Sequence, residues 1–266
     1  MIDLHVHSNF SSDSNEEMED IIKEAINRNI EIIAFTDHID YEYSDPNISF
    51  DFDISEYFYE IERLKNKYNS RIKILKGLEL GLQSHIIEKL NKVSNKYEFD
   101  FIIGSFHTVE RKDLYNGDYY KSKTPEEMWD VYLDEVYETI KNFNNFSVLG
   151  HLDLIKRYSE SVREVDFSYY KNKLEKIFNI IIEKEIGIEV NTSGLRGNYG
   201  LNETLPSKEI LKLYYDLGGR IITIGSDSHD KSTLGDNFNE TLKFINNIGF
   251  KDIYVFEKMK NGKINI

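Results

Sequence analysis

The sequence contains no cysteine, few prolines and no long apolar run. Its 266 residues include 0 Cys and 3 Pro, so disulfide bonds, thiolate metal sites and a cysteine nucleophile are excluded. No apolar run approaches the roughly 18–20 residues that a membrane-spanning helix needs. The opening residues, MIDLHVHS, lack the basic and apolar regions of a secretory signal. We therefore expect a cytoplasmic protein that has no contact with a membrane.

Positive charge is also scarce. The chain has 33 Lys and Arg against 47 Asp and Glu, which gives a formal net charge of −14 at pH 7. This excess argues against broad binding to nucleic acid or to an anionic membrane, and leaves room for a local basic pocket. With 40% hydrophobic residues the chain has the composition of a folded protein. No repeat or flexible linker divides it, so we expect one domain over residues 1–266.

Short apolar segments alternate with amphipathic segments along the chain. The first are typical of buried strands, and the second carry apolar residues at helical spacing. This alternation predicts a parallel sheet covered by helices, and the number of units favours a (β/α) barrel over an open sheet. Strands are predicted at residues 2–6, 32–35, 72–82, 101–105, 147–150, 187–191 and 221–225, with a last short strand at 253–256.

Two helix starts carry capping signals. Ser14 and Glu17 have the spacing of a capping box, which predicts that the first helix begins there. Thr124 is followed by Pro125 and two acidic residues, a pattern typical of an N-cap and a first helical turn. Both signals follow from the need to satisfy free amide groups at the beginning of a helix.

Six of the seven histidines follow the C-terminal ends of predicted strands. The strand ends of a parallel barrel meet on one face, where active sites are built, so these side chains are expected to converge. Carboxylates occur at the same level, and imidazole together with carboxylate suits Zn, Mn or Fe. Six histidines exceed one tetrahedral site, which predicts more than one ion. The residues are His5, His7, His38, His107, His151 and His229, with Asp13, Asp37, Glu79, Asp153, Glu189 and Asp227. His85 lies at a helix start and is expected to be a bystander.

These motifs resemble those of the polymerase-and-histidinol-phosphatase (PHP) superfamily. The length and the segments 150–153 and 190–196 look most like its stand-alone histidinol-phosphate phosphatases. The resemblance covers nearly the whole chain and implies an α/β fold, a distorted (β/α)7 TIM-like barrel, with a trinuclear metal centre. The matching pieces are His5-x-His7, Thr36-Asp37-His38, Gly77-Leu78-Glu79, His107, Gly150-His151 and Ser226-Asp227-x-His229.

The resemblance implies ligand sets for two to three divalent ions (Zn, Mn or Fe). Some relatives have histidine at the position of Asp13, and the carboxylate here makes that set harder, which favours Mn or Fe. Asp37 is expected to support a ligand rather than to bind metal. The implied sets are His5, His7, Glu79 and Asp227 for one ion; Glu79 as a bridge, His107 and His151 for a second; and Asp13, His38 and His229 for a third.

The implied reaction is hydrolysis of a phosphate monoester, L-histidinol phosphate, by a metal-bridging hydroxide that attacks phosphorus. Asp227 and His229 are expected to serve in catalysis as well as in metal binding. Arg157 and Arg196 each follow a strand and are expected to bind the phosphate and to serve in catalysis, because the guanidinium fork matches its oxygens. Lys156 is a weaker candidate for the same contact.

Two long loops, residues 41–53 and 108–123, are rich in tyrosine and acidic residues and are expected to form the rim of the site. Tyr120 is the candidate there for substrate binding, since tyrosine can stack on an imidazole or hydrogen-bond to a phosphate. The tyrosines equally suit an ordinary amphipathic surface, and the sequence leaves the two interpretations open.

Three other functions compete with this interpretation. A PHP phosphoesterase that acts on phosphotyrosine protein or on nucleotides would share every ligand. A nuclease or proofreading module is disfavoured by the charge of −14 and by the lack of a basic stripe. A non-catalytic scaffold predicts replaced ligands, whereas every expected position holds a competent one.

Overall fold

Strands and helices alternate along the computed structural model, which describes residues 1–197 and 200–266. The strands are β1 (Ile2–Val6), β2 (Ile32–Phe35), β3 (His38–Ile39), β4 (Lys73–Gly81), β5 (Phe101–Ser105), β6 (Thr108–Val109), β7 (Lys112–Asp113), β8 (Val148–Leu149), β9 (Gly187–Asn191), β10 (Ile222–Gly225), β11 (Asp252–Glu257) and β12 (Lys260–Asn265). The helices are α1 (Met18–Asn27), α2 (Ile54–Tyr68), α3 (Ile87–Lys96), α4 (Pro125–Asn142), α5 (Glu160–Arg163), α6 (Phe167–Glu183), α7 (Lys208–Asp216) and α8 (Phe238–Ile248). Among these described helices, none combines the length and the apolar character that crossing a membrane requires.

Seven strands form a parallel sheet that curls into a nearly closed barrel. Their order is β1-β2-β4-β5-β8-β9-β10, and each neighbouring pair is parallel. Every residue of β1, β5 and β9 is buried, as expected for strands with side chains packed inside and helices outside. The seven predicted barrel strands and the α/β barrel class are therefore confirmed.

The first and last barrel strands meet at a seam. In the described residues, β1 and the end of β10 are joined by a parallel bridge between Val6 and Ser228, where the His7 amide donates to the Ser228 carbonyl (2.9 Å). The Asp3 carboxylate adds a further link, because it accepts a hydrogen bond from the Ser226 amide (2.9 Å). Asp3 is fully buried, so the two edges of the barrel are held together from inside the protein.

The last predicted strand is β11, which lies outside the barrel and pairs antiparallel with β12. The intervening turn has positive φ at Lys258 (50°) and Met259 (62°). This type I′ geometry usually carries Asn-Gly, and β12 is largely exposed, so the sequence did not predict the hairpin. The Phe256 ring packs against that of Phe101 (5.5 Å between centroids), and the Met259 amide donates to the Asp100 carbonyl. The hairpin therefore covers the end of the barrel where the strands begin.

The two capping predictions have opposite outcomes. Thr124 caps α4 as predicted, and its side chain and that of Glu127 form a reciprocal capping box. The capping box at Ser14 is wrong, because α1 begins at Met18 with no side-chain cap. The Ser14 hydroxyl donates to the His229 carbonyl (3.0 Å) and accepts from the Glu16 amide (3.3 Å), so it stabilises the turn before the helix and does not cap it.

Candidate metal centre

The C-terminal ends of the barrel strands present the predicted metal ligands. His5 lies in β1 and His7 directly after it, and the alternation of side chains along a strand places both on one face. His38 lies in β3, whose parallel register pairs it with Glu79 of β4. Asp13 lies in the loop that follows β1. The other predicted ligands follow β5, β8 and β10 and are His107, His151, Asp227 and His229.

Glu79 lies at the centre of this cluster, with five imidazoles around its two oxygens. Burial opposes its charge, but His5, His38 and His107 hold its pKa well below the usual range. A carboxylate surrounded on both oxygens can bridge two cations. The distances to Oε2 are 2.9 Å from His5 Nε2, 3.4 Å from His7 Nε2 and 3.3 Å from His38 Nδ1; those to Oε1 are 2.9 Å from His151 Nε2 and 3.2 Å from His107 Nε2.

All nine predicted ligands lie in this one cluster. Four overlapping groups have ligand atoms within 4.8 Å of one another: His7, His38 and His229; His5, His7 and Asp227; His5, Glu79 and His151; and His38, Glu79 and His107. Asp13 Oδ2 lies 3.1 Å from His229 Nε2 and 3.6 Å from His38 Nε2. The structure thus brings the three predicted sets together, and the assignment of each residue as a ligand stays a prediction.

A short hydrogen-bond chain orients His7. The Ser11 hydroxyl donates to Asp37 Oδ1 (2.9 Å), so its oxygen is left to accept from His7 Nδ1 (3.2 Å). This arrangement places the proton of His7 on Nδ1 and leaves the Nε2 lone pair facing the cluster. Asp37 therefore lies behind the ligands, where the sequence places it as a supporting residue.

Two other carboxylates orient histidines in the same manner. Glu189 Oε1 lies 2.5 Å from His5 Nδ1, and Asp40 Oδ1 lies 2.8 Å from His107 Nδ1. Both contacts leave Nε2 of the histidine directed at Glu79. The sequence places Glu189 at this level without a role and does not single out Asp40. For Glu189 the available signal was a buried polar residue in an apolar strand, which is costly unless it is paired.

The donor set fits divalent transition metals. His7 Nε2 is buried and has no hydrogen-bond partner among the described residues. It lies 3.4 Å from Glu79 Oε2 and 3.5 Å from Asp227 Oδ1, while burial and the neighbouring His229 and His38 lower the pKa of His7 well below its usual range. A neutral lone pair that faces two carboxylate oxygens is unfavourable unless a cation lies among them.

A cavity of about 480 Å³ opens above the cluster. Its floor includes Glu79 and four of the clustered histidines, His38, His107, His151 and His229. Its wall is largely aromatic and aliphatic. The Tyr115 and Tyr158 rings meet edge to face with centroids 5.7 Å apart. A pocket with a charged floor and an apolar wall suits a small ligand that carries both kinds of group. The wall residues are Tyr43, Ile48, Phe50, Leu114, Tyr115, Leu154 and Tyr158.

Arg157 and Arg196 both line this cavity. Arg157 donates through Nη2 to Asp227 Oδ2 (3.2 Å) and to the Ser193 hydroxyl. Arg196 donates to the backbone carbonyls of Asp227 (3.1 Å) and Ser226. Arg157 therefore contacts a predicted ligand directly, whereas Arg196 holds the loop that presents it. Asp227 has a φ of 54°, a left-handed conformation that aspartate tolerates.

Lys156 and Tyr120 make contacts with other parts of the protein. The Lys156 ammonium pairs with Glu203 and lies 3.6 Å from Asp153 Oδ2, and the Tyr120 hydroxyl donates to the Ile155 carbonyl (3.0 Å). Of the residues that the structure describes, neither lines the cavity. The structure therefore gives these two residues intramolecular partners, and their role in substrate binding stays a prediction.

His85 and Asp153 also lie apart from the cluster. His85 Nε2 is 3.1 Å from Glu42 Oε2 on the surface, and its expected lack of a role stays a prediction. Asp153 accepts from the Ser207 amide (3.0 Å), which fixes the chain before α7 instead of facing the site.

Comparison with known proteins agrees with this geometry. The family model of the PHP domain matches residues 3–193 of the chain. This chain belongs to the PHP domain family. A probable histidinol-phosphatase of Clostridium acetobutylicum is 36% identical over 97% of both chains. The crystal structure of histidinol phosphate phosphatase from Lactococcus lactis, complexed with zinc, L-histidinol and phosphate, is 31% identical, covers 98% of both chains and has a TM-score of 0.89.

Without metal, this PHP domain should lose stability as the pH rises. Burial opposes charge on His38, but Glu79 and Asp13 raise its pKa from 6.5 to about 9. Its contribution to folding is complete below pH 6.5 and is lost as the pH rises through about 9. Metal ions instead bind deprotonated imidazole, so their stabilisation grows over the same range. We expect the Tm gap between metal-loaded and chelator-stripped protein, measured by calorimetry, to widen from pH 6.5 to 9; a constant gap would contradict this.

Proposed function

We propose that this PHP domain hydrolyses phosphate monoesters and that its substrate is L-histidinol phosphate, which reacts with water to give L-histidinol and phosphate. The observation that carries the proposal is the likeness to the Lactococcus lactis enzyme, whose crystal structure contains zinc, L-histidinol and phosphate and matches 98% of this chain. The clustered ligands and the two arginines of the cavity support the same reaction.

Two to three divalent ions (Zn, Mn or Fe) are proposed at the cluster. Their ligand sets are those implied by the sequence, with Glu79 shared between two of them. Bound divalent ions lower the pKa of water toward neutrality and offset negative charge on phosphoryl oxygens. Asp13, as a carboxylate on the exposed side, makes the set of His38 and His229 harder and favours Mn or Fe there.

The chain's own contribution to phosphate binding is cationic. A phosphate monoester carries about −1.5 to −2 charge near neutral pH, and the protein as a whole carries −14. Arg157 and Arg196 bring two guanidinium groups to the cavity above the cluster. A guanidinium forms strong, charge-assisted hydrogen bonds with phosphate oxygens. The two arginines draw the anion toward Asp227 and His229, where the reacting bond is expected to lie.

The leaving group is proposed to contact the apolar wall. Histidinol carries a planar imidazole, and the rings of Tyr43, Phe50, Tyr115 and Tyr158 line the cavity on the side of the long loops. Tyr43 is held by its hydroxyl, which donates to Asp113 Oδ2 (2.8 Å). A ring fixed at its polar end can pack against an imidazole without losing that hydrogen bond.

A turnover panel tests the function. We expect the purified enzyme to contain two to three bound ions by elemental analysis. Its kcat/KM for L-histidinol phosphate should be at least ~100-fold above that for a phosphotyrosine peptide or a nucleoside monophosphate. The reason is that a site that pairs the polar groups of its substrate rejects analogues that lack those groups. Preference for either competitor would identify a different PHP phosphoesterase. Full activity with one ion or none would refute the multinuclear site.

A further inference from the structure

Glu189, Asn191 and Ser193 form a buried hydrogen-bonded row, here called the β9 row. Glu189 and Asn191 are two residues apart in β9 and so lie on the same face of the strand. Ser193 begins the turn that follows. Asn191 lies in the middle: its Nδ2 donates to Glu189 Oε2 (3.2 Å), and its Oδ1 accepts from the Ser193 amide (2.9 Å) and hydroxyl (2.5 Å). The row runs between His5 at one end and Arg157 at the other.

The Glu189 end of the row is fixed by close packing. Glu189 Oε1 contacts His5 Nδ1 (2.5 Å), and its Oε2 accepts from Asn191. A Cβ atom on Gly225 of β10 would lie 2.4 Å from His5 Cβ and 2.5 Å from Glu189 Oε1, so only glycine permits this approach. Asn191 therefore cannot rotate without breaking its bond to a carboxylate that is itself held in place. The two hydrogen bonds that Ser193 donates to Asn191 therefore fix the position of Ser193 relative to β9.

The Ser193 hydroxyl has one hydrogen and two acceptors near it. Asn191 Oδ1 lies at 2.5 Å and Asp227 Oδ2 at 3.1 Å, so the hydrogen points to Asn191. The lone pairs of Ser193 then face the Arg157 guanidinium, whose Nη2 donates both to this oxygen and to Asp227 Oδ2 (3.2 Å). Ser193 is thus a neutral acceptor that shares a guanidinium nitrogen with a carboxylate.

We propose that Ser193 is a positioning residue that acts through Arg157, and that Asn191 orients it for this purpose. The proposal rests on the proposed function, in which Arg157 binds the phosphate. Two acceptors among the described residues share Nη2, and the Asp227 carboxylate is the one that remains when the serine oxygen is removed. The guanidinium then turns toward that carboxylate and away from the cavity, and the phosphate loses part of its contact.

The test is Ser193→Ala in the metal-loaded enzyme. We expect the Kd of inorganic phosphate, measured by calorimetry, and the KM of L-histidinol phosphate to rise about tenfold, the scale of one lost hydrogen bond to a charged group. Metal content should stay at the wild-type level. In an Arg157→Ala background the same substitution should change KM by less than about twofold, because two residues that act through one contact are not additive.

Thr192→Val is the matched control. Thr192 is the neighbouring buried hydroxyl, and it donates to the Asp236 carbonyl (2.8 Å) rather than to the β9 row. This variant should bind phosphate as the wild type does. Wild-type phosphate affinity in Ser193→Ala, or an undiminished effect in the Arg157→Ala background, would overturn the proposal. Wild-type enzyme that binds phosphate without hydrolysing L-histidinol phosphate would refute the proposed function and leave this test intact.

Discussion

Glu79→Gln is expected to lose bound metal and to lower turnover by at least ~100-fold, the scale of losing metal-dependent charge stabilisation. Both oxygens of Glu79 face imidazoles, at 2.9 Å from His5 Nε2 and 2.9 Å from His151 Nε2. An amide keeps the shape but replaces one of these oxygens with an NH2 group that cannot bind a cation. Elemental analysis and steady-state kinetics on the same preparation measure both effects.

His85→Ala is the control for this variant. His85 pairs with Glu42 on the surface, away from the clustered ligands, so its removal should leave metal content and kcat unchanged. Equal losses in the two variants would show that the activity depends on histidine chemistry outside the cluster. Wild-type metal content in Glu79→Gln would show that Glu79 bridges no ions.

Arg157→Ala is expected to lower kcat/KM for L-histidinol phosphate by about 100-fold, the scale of removing one preorganised donor from a developing charge. Metal content should be retained, because Arg157 contacts Asp227 Oδ2 whereas His5 and His7 face Asp227 Oδ1. Lysine at this position should restore only part of the activity, since an ammonium cannot make a two-point contact with phosphate. Kinetics, phosphate inhibition and metal analysis of the same samples measure these effects.

Variants of Arg196 and Arg220 provide comparisons for the Arg157→Ala result. Arg196 holds the carbonyls of Ser226 and Asp227, so Arg196→Ala should reduce metal content together with phosphate binding. Arg220 stacks on the Tyr215 ring at 3.9 Å, outside the cavity, and Arg220→Ala should behave as the wild type. Wild-type kinetics in both Arg157→Ala and Arg196→Ala would show that the ions alone bind the phosphate.

The main features of the site could be predicted from the sequence. In a parallel barrel, position just after a strand is enough to place a residue at the common C-terminal face. A histidine two residues past a parallel strand must lie at the common face, wherever the strand is in the chain. His107 and His151 are separated in sequence and contact the same oxygen of Glu79. No information on side-chain conformation was needed for that prediction.

Side-chain direction within turns was beyond the same reasoning. Lys156 and Arg157 are adjacent at the end of one short 3-10 turn, where successive side chains point about 120° apart. Arg157 lines the cavity, whereas Lys156 pairs with Glu203. Position after a strand predicts the level of a residue in the barrel, whereas the turn decides whether its side chain faces the cavity.

The supporting carboxylates were missed for a related reason. Asp40 and Glu189 contact histidines that are distant in sequence, and such contacts depend on how far each side chain reaches across the barrel. A periodic pattern of apolar residues predicts that a residue is buried, but it does not predict which side chain that residue contacts. The β12 strand was missed for want of any apolar pattern, since its residues are mostly exposed.

The seam closed by Asp3 links one part of the metal centre to barrel strands that are far apart in the chain. β1 is the first barrel strand and β10 the last, and a domain generally folds as a unit. His5 and His7 belong to one edge of the seam, and Asp227 and His229 to the other. Seven of the nine predicted ligands therefore precede β10, and the set of His5, His7, Glu79 and Asp227 is complete only when β1 and β10 have met. Closure of the barrel is thus expected to be a condition for binding at that set.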